Sequence, residues 1–102
     1  MENALTILVD QTPENLKVRL IGRLDTTTSK ALETEVLEKL KEPINVELDF
    51  KELEYISSAG LRCLMLIYKN LKDNHKMTII NCCETVKEVF DITGFTEIFN
   101  IK

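Results

Sequence analysis

The chain of 102 residues has no tryptophan, one histidine, three glycines and three cysteines. Each shortage removes a class of function. Neither Gly-x-Gly-x-x-Gly nor Gly-x-x-x-x-Gly-Lys occurs, so the glycine-rich loops that cradle nucleotide phosphates are absent. A nucleophilic serine needs a base, and His75 is the single histidine. It falls in a polar turn about 25 Å from the serine pair at residues 57 and 58, at ~1.5 Å per helical residue. No catalytic residues are expected, and the chain reads as a non-enzyme. Cys63, Cys82 and Cys83 form an odd set with two members adjacent and no Cys-x-x-Cys spacing. That supports neither a thioredoxin-type pair nor a zinc knuckle. Three reduced, mostly buried thiols are expected, with no metal and no cofactor.

Clustered positive charge is missing too. The thirteen Lys and Arg residues are scattered and the formal net charge is -4. A nucleic-acid surface needs clustered cations to displace counterions, so no nucleic-acid partner is expected. Apolar runs last only a few residues, far short of the ~20 that span a bilayer, so direct membrane insertion is not expected. The start, Met1-Glu2-Asn3, lacks the basic and long apolar segments of a signal peptide. A cytoplasmic protein is the expectation.

What is present suits one folded unit over residues 1–102. Hydrophobic residues make up 44% and charged residues 29%, a globular balance. A core of this size stands without staples, since unaided folding becomes difficult only below ~40 residues. Leu5, Ile7 and Val9 alternate as a first strand, and Gln11 to Asn15 form a turn cluster. Leu16, Val18 and Leu20 alternate as a second strand that closes an antiparallel hairpin and ends at Gly22. Asp25, Thr26, Thr27, Thr28 and Ser29 offer N-cap oxygens to a helix carrying Leu32, Val36, Leu37 and Leu40, which Pro43 stops. Ile44, Val46, Leu48 and Phe50 make the clearest strand.

A loop from Lys51 to Ile56 is then expected to deliver Ser57 and Ser58 to a second helix. Leu61, Leu64, Met65 and Tyr68 mark that helix, which is expected to run to about Asn74. Met77 to Ile80 reads as a fourth strand and Glu84 to Ile92 as a third helix, ended by Gly94. The tail, Phe95 to Ile101, suits a short strand or a last helical turn. The order β-β-α-β-α-β-α implies an α/β fold with parallel pairing and right-handed crossovers. The opening hairpin makes the four- to five-stranded sheet mixed.

A serine at a helix start is an ordinary N-cap, and Ala59 with Gly60 permits tight helix–sheet packing. The same place also suits a phosphate, because free N–H groups and the positive end of the helix dipole lie there. Arg62 lies four residues beyond Ser58 on one helical face, within reach of a phosphoryl group on it. Asp49, Glu52 and Glu54 precede the serines and are expected to make the loop acidic.

The stretch Leu48-Asp49-Phe50 through Tyr55-Ile56-Ser57-Ser58-Ala59-Gly60-Leu61-Arg62 resembles the signature of the STAS domain family, which includes anti-sigma-factor antagonists. Gly22-Arg23-Leu24-Asp25 resembles the family's turn after the second strand, and the element order matches along the whole chain. The resemblance implies a module that binds a serine-kinase anti-sigma factor, is phosphorylated by it, and is reset by a serine phosphatase. The position matching the modified serine is Ser58, with Ser57 as the alternative, standing where the family often has Asp. The implied partner surface comprises Asp25, Thr26, Ser57, Ser58, Ala59, Gly60 and Arg62. A constitutive docking subunit of a signalling scaffold, or of a lipid or anion transport complex, is the other role the family allows.

Overall fold

Hydrophobic alternation sets the sheet, and its buried row faces one way. In a computed structural model, which describes residues 5–72 and 75–102, the hairpin strands are β1 (Leu5–Gln11) and β2 (Asn15–Leu24). They are followed by α1 (Ser29–Lys39), β3 (Asn45–Ile56) and α2 (Ser58–Lys69). Then come β4 (Met77–Ile80), α3 (Glu84–Thr93), a 3₁₀ turn over Phe95–Glu97 and β5 (Asn100–Ile101). The five-stranded sheet has the order β1-β2-β3-β4-β5, antiparallel at β1–β2 and parallel elsewhere.

Strands added in one direction by right-handed crossovers place their helices on one face. Burial follows that rule. Leu16, Val18, Leu20, Val46, Leu48, Phe50, Met77 and Ile79 are buried, while Lys17, Arg19, Glu47 and Asp49 between them are not. The described residues form a slab of 32 × 32 × 20 Å. Its thin dimension matches one sheet plus one helical layer of ~10 Å. Leu32 and Val36 of α1, Leu61, Leu64 and Ile67 of α2, and Val86 and Phe90 of α3 fill the space between the layers. The aromatic rings tie the end of the chain to the sheet. Phe50 stacks on Phe90 at 6.4 Å, Phe90 meets Phe99 edge-on at 6.0 Å, and Tyr68 meets Phe99 at 5.8 Å.

Three expectations from sequence are corrected. Gly22 does not end β2. It sits inside the strand at φ +115, a conformation glycine adopts freely. Lys51 to Ile56 is not a loop but the second half of β3. Between Arg19 and Ile21, β3 advances from Asp49 to Glu52, and between Gly22 and Arg23 it advances from Leu53 to Tyr55. Each shift inserts one extra residue in β3, a bulge that breaks the period of two. Helix α2 ends at Lys69, where the Asn70 side chain donates to the Leu66 carbonyl at 2.8 Å. Asn74, the expected end, lies outside the described residues, as do Met1 to Asn3. The tail holds both expected forms, a 3₁₀ turn and then a two-residue strand.

Candidate functional site

The extra length of β3 brings two loops together. Leu24 pairs with Ile56, and the Ser57 amide donates to the Leu24 carbonyl at 2.9 Å. The Asp25–Thr28 turn and the start of α2 therefore leave the sheet side by side. Gly60 sets how closely α2 lies on these strand ends. A Cβ there would stand 2.9 Å from the Leu24 carbonyl oxygen and 2.8 Å from Ile56 Cγ1. Gly60 is buried, so its part in the rim is the packing of α2 rather than direct contact.

The turn before α1 closes on itself. Asp25 Oδ1 accepts from the amides of Thr27 at 3.0 Å and Thr28 at 3.1 Å. The Thr28 hydroxyl accepts from the Asp25 amide at 2.9 Å and donates to the Arg23 carbonyl at 2.7 Å. Thr28 occupies the N-cap position, yet its side chain turns back to this network instead of capping α1. Among the described residues, it is the one buried polar side chain. The Thr28 amide above all, then the Thr28 hydroxyl and the Thr27 amide, hold the Asp25 carboxyl below its usual range, with Arg23 adding attraction. Partial burial works against them. The Arg23 guanidinium lies 3.9 Å from Asp25 Oδ2 and 4.1 Å above the Tyr55 ring centroid.

The start of α2 is built more lightly. Ser57 is its N-cap, with extended backbone, and its hydroxyl accepts from the Gly60 amide at 3.3 Å. Ser58 is the first helical residue and is exposed. Arg62, one turn on, is exposed as well. Thr26, Ala59 and Arg62 line one shallow depression of about 400 Å³ between α1 and α2, together with Lys30, Glu33 and Cys63. Lys30 and Glu33 form an ion pair of 3.8 Å at its edge.

The acidic residues expected around the serines are largely elsewhere. Because Lys51 to Ile56 is strand, Asp49 and Glu52 lie on the open sheet face. Glu52 pairs with Arg19 at 2.9 Å, and Asp49 accepts from Asn81 Nδ2 at 3.1 Å. At ~3.3 Å per strand residue, Asp49 is roughly 20 Å from Ser58. Glu54 is exposed on the last stretch of β3. Sequence reading quoted Arg23 and Tyr55 only as parts of two motifs and overlooked their contact. Their pairing becomes visible only once the bulged register sets Arg23 opposite Tyr55.

The remaining chemistry is quiet. Cys63 is buried, and its thiol points to the Ser29 carbonyl at 3.5 Å. Burial, and secondarily Glu33, push its pKa up to about 12. Cys82 and Cys83 are half-buried rather than fully buried. Burial is the main cause that raises the Cys82 pKa to about 11. The Cys63 and Cys82 thiols stay protonated and weakly nucleophilic near neutrality. His75 Nδ1 lies 2.8 Å from the Lys72 carbonyl, far along the chain from the rim. Among the described residues, no group of three or more His, Cys, Asp or Glu is placed to hold a metal ion. No helix among them is long and apolar enough to cross a membrane.

Among the described residues the strands follow sequence order, without the reversal point at which α/β sheets open a ligand crevice. The fold and its rim thus define a two-layer α/β module that presents a shallow surface at the start of a helix. Comparison with known proteins supplies the family: the STAS domain model matches residues 6–102, and the chain belongs to that family. It is 34% identical to BtrV of Bordetella bronchiseptica, named for anti-sigma factor antagonism, over 95% of this chain and 85% of that protein. The crystal structure of an anti-sigma factor antagonist from Mycobacterium paratuberculosis superposes with a TM-score of 0.90. It shares 20% identity and covers 99% of this chain and 87% of that one. The Bacillus cell fate determinant SpoIIAA, solved in its phosphorylated form, superposes with a TM-score of 0.74. It shares 17% identity over 95% of this chain and 91% of that one.

Proposed function

We propose that this protein is an anti-sigma factor antagonist, a binding module gated by phosphorylation of Ser58. One observation carries the choice of residue: the Ser57 hydroxyl is engaged as the N-cap of α2, while Ser58 stands exposed one position further on. In this reading the unmodified rim binds an anti-sigma factor that is itself a serine kinase. Asp25, Thr26, Ser57, Ser58, Ala59 and Arg62 supply the contact, and Gly60 holds α2 in place beneath them. The kinase transfers a phosphoryl group to Ser58, the complex separates, and a serine phosphatase restores the binding form. The names borne by BtrV and the mycobacterial structure support the antagonist role. The phosphorylated form of SpoIIAA supports a covalent switch on this fold.

The local electrostatics favour a switch that leaves the fold intact. Phosphorylation adds a charge of about -1.5 to -2. At Ser58 that charge meets the free amides and positive dipole end of α2, with Arg62 one turn away. Asp49 and Glu52 are distant, while the Asp25 carboxylate on the neighbouring turn and Glu54 on the last stretch of β3 add some repulsion that these donors offset. The cost falls on the interface, where the dianion is pressed against the partner's surface. Unpaired buried charge at an interface costs about 2–5 kcal/mol, which is roughly 30-fold or more in affinity.

Protein from its native cell, mapped by mass spectrometry, should carry phosphate at Ser58. Modification confined to Ser57 would overturn the residue choice. Pull-down should recover a kinase partner with the unmodified chain and with Ser58→Ala, and lose it with Ser58→Asp. Equal recovery by all three would leave a constitutive docking module instead.

A further inference from the structure

The two edges of the sheet are protected very differently. At one edge, β5 is two residues long and is followed at once by Lys102. Short length and a lysine are the usual means of blunting an edge. At the other edge, β1 runs for seven residues, Leu-Thr-Ile-Leu-Val-Asp-Gln. It holds no proline and no lysine, and its one charge, Asp10, lies near the end. Among the described residues, nothing pairs with its outer side. Leu5, Ile7 and Val9 point toward the helical layer but are only half-buried, and Leu8 on the open face is 47% exposed. A long apolar edge of this kind is a template for another strand.

The hairpin fixes which backbone groups of β1 are available. The Thr12 amide donates to the Asn15 carbonyl at 2.9 Å, so hydrogen-bonded pairs recur at Asp10–Lys17, Leu8–Arg19 and Thr6–Ile21. The amides and carbonyls of Leu5, Ile7, Val9 and Gln11 therefore point to the outer edge. Those four positions match themselves. An antiparallel copy centred on Leu8 sets Ile7 against Val9 and Leu5 against Gln11 in hydrogen-bonded pairs. It sets Leu8 against Leu8 and Thr6 against Asp10 in the pairs between them. Ile7 meets Val9 on the helix side, Gln11 falls at the ends of the contact opposite Leu5, and the two Asp10 carboxylates stay apart.

We propose that β1 joins a second copy of this chain, β1 to β1 about a twofold axis at Leu8, making one continuous ten-stranded sheet. Such an isologous contact uses the same patch twice. It covers the half-open row Leu5, Ile7 and Val9 that the single sheet leaves at its edge. It also lies away from the rim at the start of α2, so it does not depend on the proposed switch.

Sedimentation equilibrium of the full chain should show the mass rising from one copy toward two with concentration. Val9→Pro removes an outward amide without touching the pairing to β2, and should return the chain to one copy. Leu8→Lys, which brings two ammonium groups together at the axis, should do the same at a half-exposed site that does not threaten folding. Under mild oxidation, Leu8→Cys should yield a dimer whose disulfide joins the two introduced thiols, because facing residues in such a pair lie ~4.5 Å apart at Cα. Thr6→Cys, whose two copies stand four positions apart in this register, should not crosslink. A chain that stays a single copy up to about 1 mM overturns the proposal, even if β1 then captures a strand from another protein. Crosslinking of Thr6→Cys as strong as that of Leu8→Cys also overturns it.

Discussion

Helices α1 and α2 begin beside each other on the same rim, each fed by one of two paired strands, and their first turns are built to different standards. The turn into α1 is closed by five side-chain hydrogen bonds among Arg23, Asp25, Thr27 and Thr28, with the Thr28 side chain buried. The turn into α2 rests on the Ser57–Gly60 bond of 3.3 Å and on the Ser57 amide bound to Leu24. The first turn is a fixed wall. The second leaves a hydroxyl, on Ser58, in the open. A modification site gains from this pairing: the serine stays accessible while the surface beside it keeps its shape.

Substitutions can break that contrast. Gly60→Ala should have the largest effect, since its methyl meets a backbone carbonyl and a buried side chain below 3.0 Å. A loss of roughly 1–3 kcal/mol in urea unfolding is expected, as for overpacked cores. Unchanged stability would mean that α2 rides more loosely on the strand ends. Thr28→Val keeps the shape but strands the Asp25 amide and the Arg23 carbonyl, and should cost about 1–3 kcal/mol. Ser57→Ala removes only a cap and should cost about 1 kcal/mol. If Ser57→Ala proved the more damaging of the two, the difference between the turns would be reversed.

The smallest effect is a matter of pH. The folded-state pKa of Asp25 lies below its unfolded value, so its contribution is present above the unfolded value of ~3.9. That contribution is lost as pH falls through the folded value. Asp25→Asn should therefore trail the unaltered chain in stability at neutral pH, and the gap should narrow in acid. A gap that stays constant from neutral pH into acid would show that the carboxylate charge contributes nothing to the turn.

Regular periodicity made much of this architecture legible in sequence. Leu32, Val36 and Leu40 predicted the buried stripe of α1, and Met77 to Ile80 matched β4 at both ends. The failures around β3 share a cause. Phe50, Leu53 and Ile56 are buried at successive spacings of three, because two bulges in β3 disturb the alternation. A helix-like spacing thus occurs inside a strand. The same bulges hid the place of Asp49 and Glu52 on the open face, and the stacking of Arg23 on Tyr55. Nearness of Asp25 to Ser58 was expected from family resemblance alone. Its physical basis is the pairing of Leu24 with Ile56, which no local pattern announces.

Every strand of the sheet pairs with its neighbour in sequence, so no pairing must wait for a later segment to slot between two earlier ones. A chain growing from its first residue meets each partner already made. The rim needs β2, α1, β3 and the start of α2, and all of these precede residue 70. The serine-bearing surface is encoded in the first two-thirds of the chain. The remaining third sets Phe90 and Phe99 against Phe50 and Tyr68, and so closes the core behind that surface without contributing to it.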